Sequence, residues 1–212
     1  MRPIVSAVGS ATYGISKFVS NVLTPYVRQT SSYIRNTTDL LDKLQDVRIS
    51  DDEILVSFDV KSLYTNVPRD DAFEAIREIV QNDPDFKENN GIEPETLLDL
   101  LKVSMSTTSF QFRNKHYELT DGLPMGSPAP PVIAYLFMAK VEENALATVE
   151  DKPKIWYHFV DDVLSIVKVA TLDKLRTHLN SQHPTIEFTV EREKIITSSR
   201  LWMCASTATQ KR

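Results

Sequence analysis

The chain has 212 residues, 42% of them hydrophobic, which is enough for one large core or two small lobes. Its net charge of −5 runs against the basic excess usual in phosphate binders, while leaving room for a local basic face. The single cysteine, Cys204, excludes a disulfide framework and a cysteine-rich zinc site, and the four histidines show no metal-ligand spacing. No apolar run approaches the roughly 18 residues of a membrane span, and "MRPIVSAVGS" is too short in apolar residues for a secretory signal. These features describe a soluble, reduced, intracellular protein, nuclear or cytoplasmic.

"TYGISKFVSNVLTPY" carries Ile15, Phe18, Val19, Val22, Leu23 and Tyr26 at helical spacing, with Pro25 expected to disturb the end. A second helix is expected from Thr37–Thr38 through "DLLDKLQDV". "ILVSFDV" then alternates as a strand: Ile54, Val56, Phe58 and Val60 face one way, and Leu55, Ser57 and Asp59 the other. A helix at "RDDAFEAIREIV" should bury Phe73, Ile76, Ile79 and Val80, and "NDPDFKENNG" reads as a solvated loop. "EPETLLDLLKVSM" predicts a helix with Leu97, Leu98 and Leu101 on one face. "SFQFRNKHYEL" predicts a hairpin turning at Asn114-Lys115. The breakers of "DGLPMGSPAPP" precede an apolar helix over about Val132 to Ala147, and "TLDKLRTHLN" predicts another through Leu172, Leu175 and Leu179. "KIWYHFV" and "VLSIVKV" read as two strands joined at Asp161-Asp162, and "TIEFTVERE" as the last strand. The expected fold class is α+β with a largely antiparallel sheet.

Asp is an ordinary turn residue, so a charged pair at a hairpin tip needs no further explanation by itself. Asp59 changes this. If the hairpin of Asp161 and Asp162 lies beside the strand of Asp59, three carboxylates meet at one sheet end. Like charges that close raise one another's pKa and repel, so a counter-charge is required. Mg²⁺ takes hard oxygen ligands, and two such ions about 3.5–4 Å apart can drive a phosphoryl transfer.

"SFDVKSLYTNVP" (57–68), "GLPMGSPAPPVIAYLFM" (122–138) and "FVDD" (159–162) together resemble three motifs of reverse transcriptases, most closely those of Penelope-like retroelements. "RPIVS" (2–6) is similar to the end of that family's fingers motif, and "HPTIEFTVERE" (183–193) to the segment after its catalytic hairpin. The resemblance implies a right-hand polymerase palm, with an antiparallel sheet packed on helices, partial fingers and no thumb. It implies one domain over 1–212: a fingers remnant at 1–50, the palm at 51–195 and a divergent tail at 196–212.

By the same resemblance, Asp59, Asp161 and Asp162 are catalytic and hold two Mg²⁺ or Mn²⁺ ions together with the carbonyl of Val60. Tyr64, five residues after Asp59, would be a steric gate whose ring excludes a 2′-hydroxyl. Arg2, Gly126 and Ser127 would bind the nucleotide, the arginine as a fork on the triphosphate. Gly122, Pro124 and Met125 would approach template and primer, where glycine permits close backbone contact. By the resemblance Lys61 could touch backbone phosphate, although a surface lysine is the better reading of it, and Lys194 would stand near the family's proton donor. The implied partners are an RNA template, a DNA primer and deoxynucleoside triphosphates, with no membrane.

The family pattern has more fingers sequence before "RPIVS", and a thumb after a Phe-Leu-Asp segment that "KIITSSRLWMCASTATQKR" does not match. The expectation is therefore a truncated RNA-directed DNA polymerase of a Penelope-like retrotransposon, with low or no activity as an isolated chain. Pro130 should be tolerated in a helix's first turn, and Tyr135 is expected to put its ring on the helix face toward the substrate cleft. Two other readings stay open. One is a non-catalytic, domesticated fragment that binds RNA or a protein partner. The other is a metal-dependent nuclease or transferase with a palm-like sheet, against which Tyr64 and "GLPMGSP" argue.

Overall fold

The computed structural model describes residues 6–106, 109–159 and 162–192. In chain order the elements are α1 (Tyr13–Gln29), α2 (Thr37–Leu44), β1 (Glu53–Val60), α3 (Leu63–Asn66), α4 (Arg69–Gln81), α5 (Phe86–Asn90) and α6 (Pro94–Ser106). They continue as β2 (Ser109–Phe112), β3 (Lys115–Glu118), α7 (Pro130–Thr148), β4 (Ile155–Phe159), β5 (Asp162–Lys168), a 3₁₀ turn (Val169–Thr171), α8 (Leu172–Asn180) and β6 (Phe188–Arg192). Among the described residues, no helix is long and apolar enough to cross a membrane.

The chain divides into two compact units, Met1–Gln29 with Ser62–Val141, and Thr30–Lys61 with Glu142–Arg212. The second unit holds a four-stranded sheet in the order β4-β5-β1-β6, antiparallel throughout. Residues directly opposite across an antiparallel pair share a face. One face therefore carries Val56, Phe58, Val60, Val163, Ser165, Trp156, His158 and Phe188, all buried. The Phe58 and Trp156 rings meet on it at 5.3 Å between centroids. On the other face Leu55, Ile155 and Ile166 pack with Leu44 of α2, flanked by Leu40, Val47 and Ile49. The helix starts where Asn36 caps it, its side-chain oxygen accepting from Asp39 N at 2.9 Å.

The first unit is helical apart from the β2–β3 hairpin. α6 buries Leu97, Leu98 and Leu101 as the periodicity predicts. α1 departs from expectation twice. It runs through Pro25 to Gln29, since a proline removes one backbone donor without ending a helix that packing holds. Its buried stripe is Ser16, Val19, Val22 and Leu23, leaving Phe18 39% exposed. Ser16 takes a core position because its hydroxyl accepts from Ala129 N at 3.0 Å.

In α4 the buried set is Ala72, Ala75, Ile76 and Val80, with Phe73 and Ile79 half-buried. The segment read as a solvated loop contains α5, anchored by Phe86 at 1% exposure. α7 begins at Pro130, where a missing donor costs nothing in the first turn. Tyr135 is 7% exposed and belongs to the core, which corrects its expected place on a cleft. Over residues 130–141 the helix is apolar on nearly every side, and such a helix is buried all round.

Candidate active site

β1 ends on its less apolar face at Asp59, and the chain returns beside it in β5. The register sets Asp59 directly opposite Asp162, with Phe159 on the far side of Asp162 and Thr189 on the far side of Asp59. These four residues form one row across all four strands, on the face whose other end is covered by α2. The cover thins toward this end: Leu164 and Tyr157 are half-buried, and Asp59, Asp162 and Phe159 are exposed. Opposed residues of an antiparallel pair have Cβ atoms about 4.5–5.5 Å apart, and like charges so placed are destabilising. Two carboxylates at that separation offer hard oxygens to one divalent cation, so the donor set fits Mg²⁺ or Mn²⁺.

Asp162 is thus the first residue of β5 and not part of the hairpin tip, since the pairing with β1 reaches it. Asp161 lies outside the described residues, as do Arg2 and Lys194. Among the described residues no group of three or more metal-ligating side chains gathers. Val60 is buried on the opposite face, so only its carbonyl is left for the expected ligand role. The end of β1 is tied to β6 by Lys61 N donating to Glu187 O at 2.9 Å, and by Thr189 Oγ1 donating to Asp59 O at 3.2 Å. The Lys61 ammonium pairs with Glu187 at 3.1 Å.

A buried polar cluster that the sequence reading missed supports β4. Trp156 Nε1 donates to Glu142 Oε2 at 2.9 Å, and His158 Nδ1 lies 3.0 Å from Glu142 Oε1, a contact that is an ion pair when the imidazole is protonated. Glu142 and His158 are 2% and 1% exposed. A buried carboxylate needs such partners, and here they come from the strand that leads to the acidic hairpin. His158 N also donates to Ser32 O at 2.7 Å. The only local signal was a glutamate interrupting an apolar helix.

In the first unit the expected nucleotide residues sit on two turns. Ser62 leaves β1 in a left-handed conformation, φ 54°, and begins the turn into α3, where Tyr64 is half-buried. Leu123 N donates to Tyr64 O at 2.6 Å. A Cβ on Gly122 would stand 2.9 Å from both Tyr64 O and Thr65 O, and φ there is +78°. The close approach that requires glycine is therefore made to the Tyr64 turn of this protein. Arg69 at the start of α4 clamps the same loop, donating from Nε to Gly122 O at 2.8 Å and from Nη2 to Leu119 O at 3.0 Å. Sequence reasoning passed over Arg69, whose guanidinium donates to two backbone carbonyls while its own amide donates to Asp121 Oδ1 at 3.4 Å.

Further on, Gly126 O accepts from Ala7 N at 3.1 Å, and Ser127 Oγ meets Ser16 Oγ at 2.7 Å. Pro124 and Met125 are half-buried between these anchors. Gly122, Pro124, Met125, Gly126 and Ser127 thus form one tied turn, held from both ends.

A polymerase palm with fingers helices is the class that this antiparallel sheet and its surrounding helices define. The chain belongs to the reverse transcriptase (RNA-dependent DNA polymerase) family, whose sequence model matches residues 1–200. No curated protein matches it significantly. Among solved structures it is similar to a Candida tropicalis telomerase truncated from its C-terminal domain. The TM-score is 0.58 at 15% identity, over 91% of this chain and 43% of that one. The Candida albicans telomerase in complex with a TWJ fragment of telomeric RNA gives 0.60 at 9% identity, over 90% and 36%. An RNA-dependent RNA polymerase solved with vp4 and dsRNA gives 0.59 at 13%, over 90% and 19%. At these identities the likeness is one of fold, and the chain spans less than half of each of these proteins.

Proposed function

We propose that the chain is the palm-bearing part of an RNA-directed DNA polymerase of a Penelope-like retrotransposon, joining deoxynucleotides to a DNA primer on an RNA template. The observation that carries this reading is Asp59 facing Asp162 at the exposed end of the sheet, in a chain of the reverse transcriptase family. The telomerase of similar fold is solved with RNA, which supports a nucleic-acid partner for this fold.

In this mechanism Asp59, Asp161 and Asp162, with the Val60 carbonyl, would hold the cations. Two Mg²⁺ or Mn²⁺ ions bound there would lower the pKa of the attacking hydroxyl and stabilise the leaving oxygen. Tyr64 excludes the 2′-hydroxyl of a ribonucleotide, and Arg2, Gly126 and Ser127 hold the nucleotide. Pro124 and Met125 would face template and primer, with Gly122 letting their turn pack against that of Tyr64. The Arg69 clamp and the Ser16–Ser127 contact keep those turns in place before substrate arrives.

The test is primer extension on an RNA template with Mg²⁺ or Mn²⁺. Asp59→Asn or Asp162→Asn should lower extension by about a hundredfold or more. Extension that survives in the Asp161→Asn/Asp162→Asn double variant rejects the site. If the wild-type chain takes up Mg²⁺ in a calorimetric titration that never responds to deoxynucleotide, the chain is a non-catalytic binding module.

A further inference from the structure

The β2–β3 hairpin belongs neither to the carboxylate row nor to the turn at residues 122–127, and it forms a two-stranded sheet of its own. Arg113 and Asn114 close it with φ of 50° and 59°, the doubly left-handed backbone that matches strand twist. The turn thus sits one residue earlier than the sequence suggested. In the register Phe110 faces Tyr117 and Phe112 faces Lys115, so three rings and an ammonium share one face. The Phe110 and Tyr117 rings stack at 5.4 Å with 16° between their planes. The Arg113 guanidinium stands 5.2 Å from the centre of the Phe112 ring.

These rings are not core residues. Phe112 and Tyr117 are each 44% exposed, and of the eight strand residues only Phe110 is as much as half-buried. A lone hairpin is marginal in water, so exposed rings on it want a partner. The cations specify which. Residues 109–118 carry Arg113 and Lys115 against Glu118 alone, in a chain of net charge −5. Among the described residues neither cation forms an ion pair.

We propose that this face is a stacking platform for single-stranded nucleic acid. Unpaired bases lie on Phe112 and Tyr117, and Arg113 and Lys115 take the adjoining phosphates. A duplex hides its base faces, and an apolar protein surface would leave both cations unmatched; a single strand supplies planar rings and regular negative charge together. That the strand is a template or a displaced product rests on the polymerase reading above, but the stacking itself needs no metal.

The experiment is fluorescence anisotropy of the full chain with labelled oligo-U and oligo-dT of about 12 nucleotides, in EDTA. Phe112→Ala with Tyr117→Ala should weaken binding by about tenfold or more, with an unchanged thermal melt because both rings lie outside the core. Tyr117→Phe should bind as wild type. Arg113→Ala with Lys115→Ala should flatten the log–log salt slope by about 1.4.

Equal binding by the double alanine variant overturns the proposal. Failure of the wild type to bind either oligonucleotide also overturns it. The two readings fail separately. If Asp59→Asn has no effect on extension while the ring variants lose binding, only the polymerase site falls. If extension needs Asp59 but binding ignores the rings, only the platform falls.

Discussion

Asp59 and Asp162 keep two like charges opposed on adjacent strands, which a fold selected for stability alone would replace. Neutralising one should therefore stabilise the metal-free protein. Asp162→Asn is expected to add about 0.2–1 kcal/mol in urea unfolding; if the proposed cation site is right, it should also abolish the rise in melting temperature that Mg²⁺ would give the wild type. A variant that loses stability without metal would show that the pair is not repulsive. At Gly122 the expectation is opposite. Gly122→Ala meets two carbonyl oxygens at 2.9 Å in a left-handed conformation, so it should cost about 2 kcal/mol or more. Chemical denaturation measures it directly, and a loss under about 0.5 kcal/mol would mean that the Tyr64 turn yields.

At the level of elements, the acidic strand end was legible because period-two alternation runs through Ile54 to Val60 and leaves Asp59 on the polar side. The hairpin was legible as two apolar runs around an acidic pair. That β5 takes Asp162 into its ladder was not, because register is decided by pairing with β1, far away in sequence. The Glu142 cluster was illegible for the same reason: it exists only once α7 and β4 pack. Glu142→Ala would leave the Trp156 Nε1 donor and the His158 ring buried without their carboxylate, at a cost of about 3–5 kcal/mol by denaturation.

A milder effect is expected where β1 begins. Lys154 Nζ donates to Glu53 Oε2 at 2.8 Å, and Ser50 N donates to the same oxygen at 2.9 Å. First the Lys154 contact and then the Ser50 amide hold the Glu53 carboxyl below its ordinary pKa. Its folded value is depressed, so its contribution is present above the unfolded pKa and disappears as pH falls through the folded one. The stability difference between wild type and Glu53→Gln should therefore vanish in acid. A difference that persists at the acid limit would refute the assignment.

On the scale of the whole molecule, each unit is assembled from separate stretches of chain. Thr30–Lys61 joins Glu142–Arg212, and Met1–Gln29 joins Ser62–Val141. This interleaving could not be read from composition, which shows no linker, no repeat and no shift at Gln29, Lys61 or Val141. It follows from β1, which enters the sheet between β5 and β6, two strands made more than a hundred residues later. Such non-local pairing carries the loop-closure entropy that slows β-rich folding. It also predicts how the chain behaves when cut. A fragment ending at Lys61 holds β1 without either neighbour and α1 without α6, so it should show no cooperative melt by circular dichroism. A fragment from Ser62 onward keeps β4, β5 and β6 but lacks the strand that joins β5 to β6. It should melt broadly, with Phe58 missing from beside Trp156. Mixing the two at micromolar concentration should restore a cooperative transition, because the missing strand and its hydrophobic face are then supplied in trans. A 1–61 fragment that melted cooperatively alone would contradict the interleaved build, and with it the claim that Asp59 is positioned by β5.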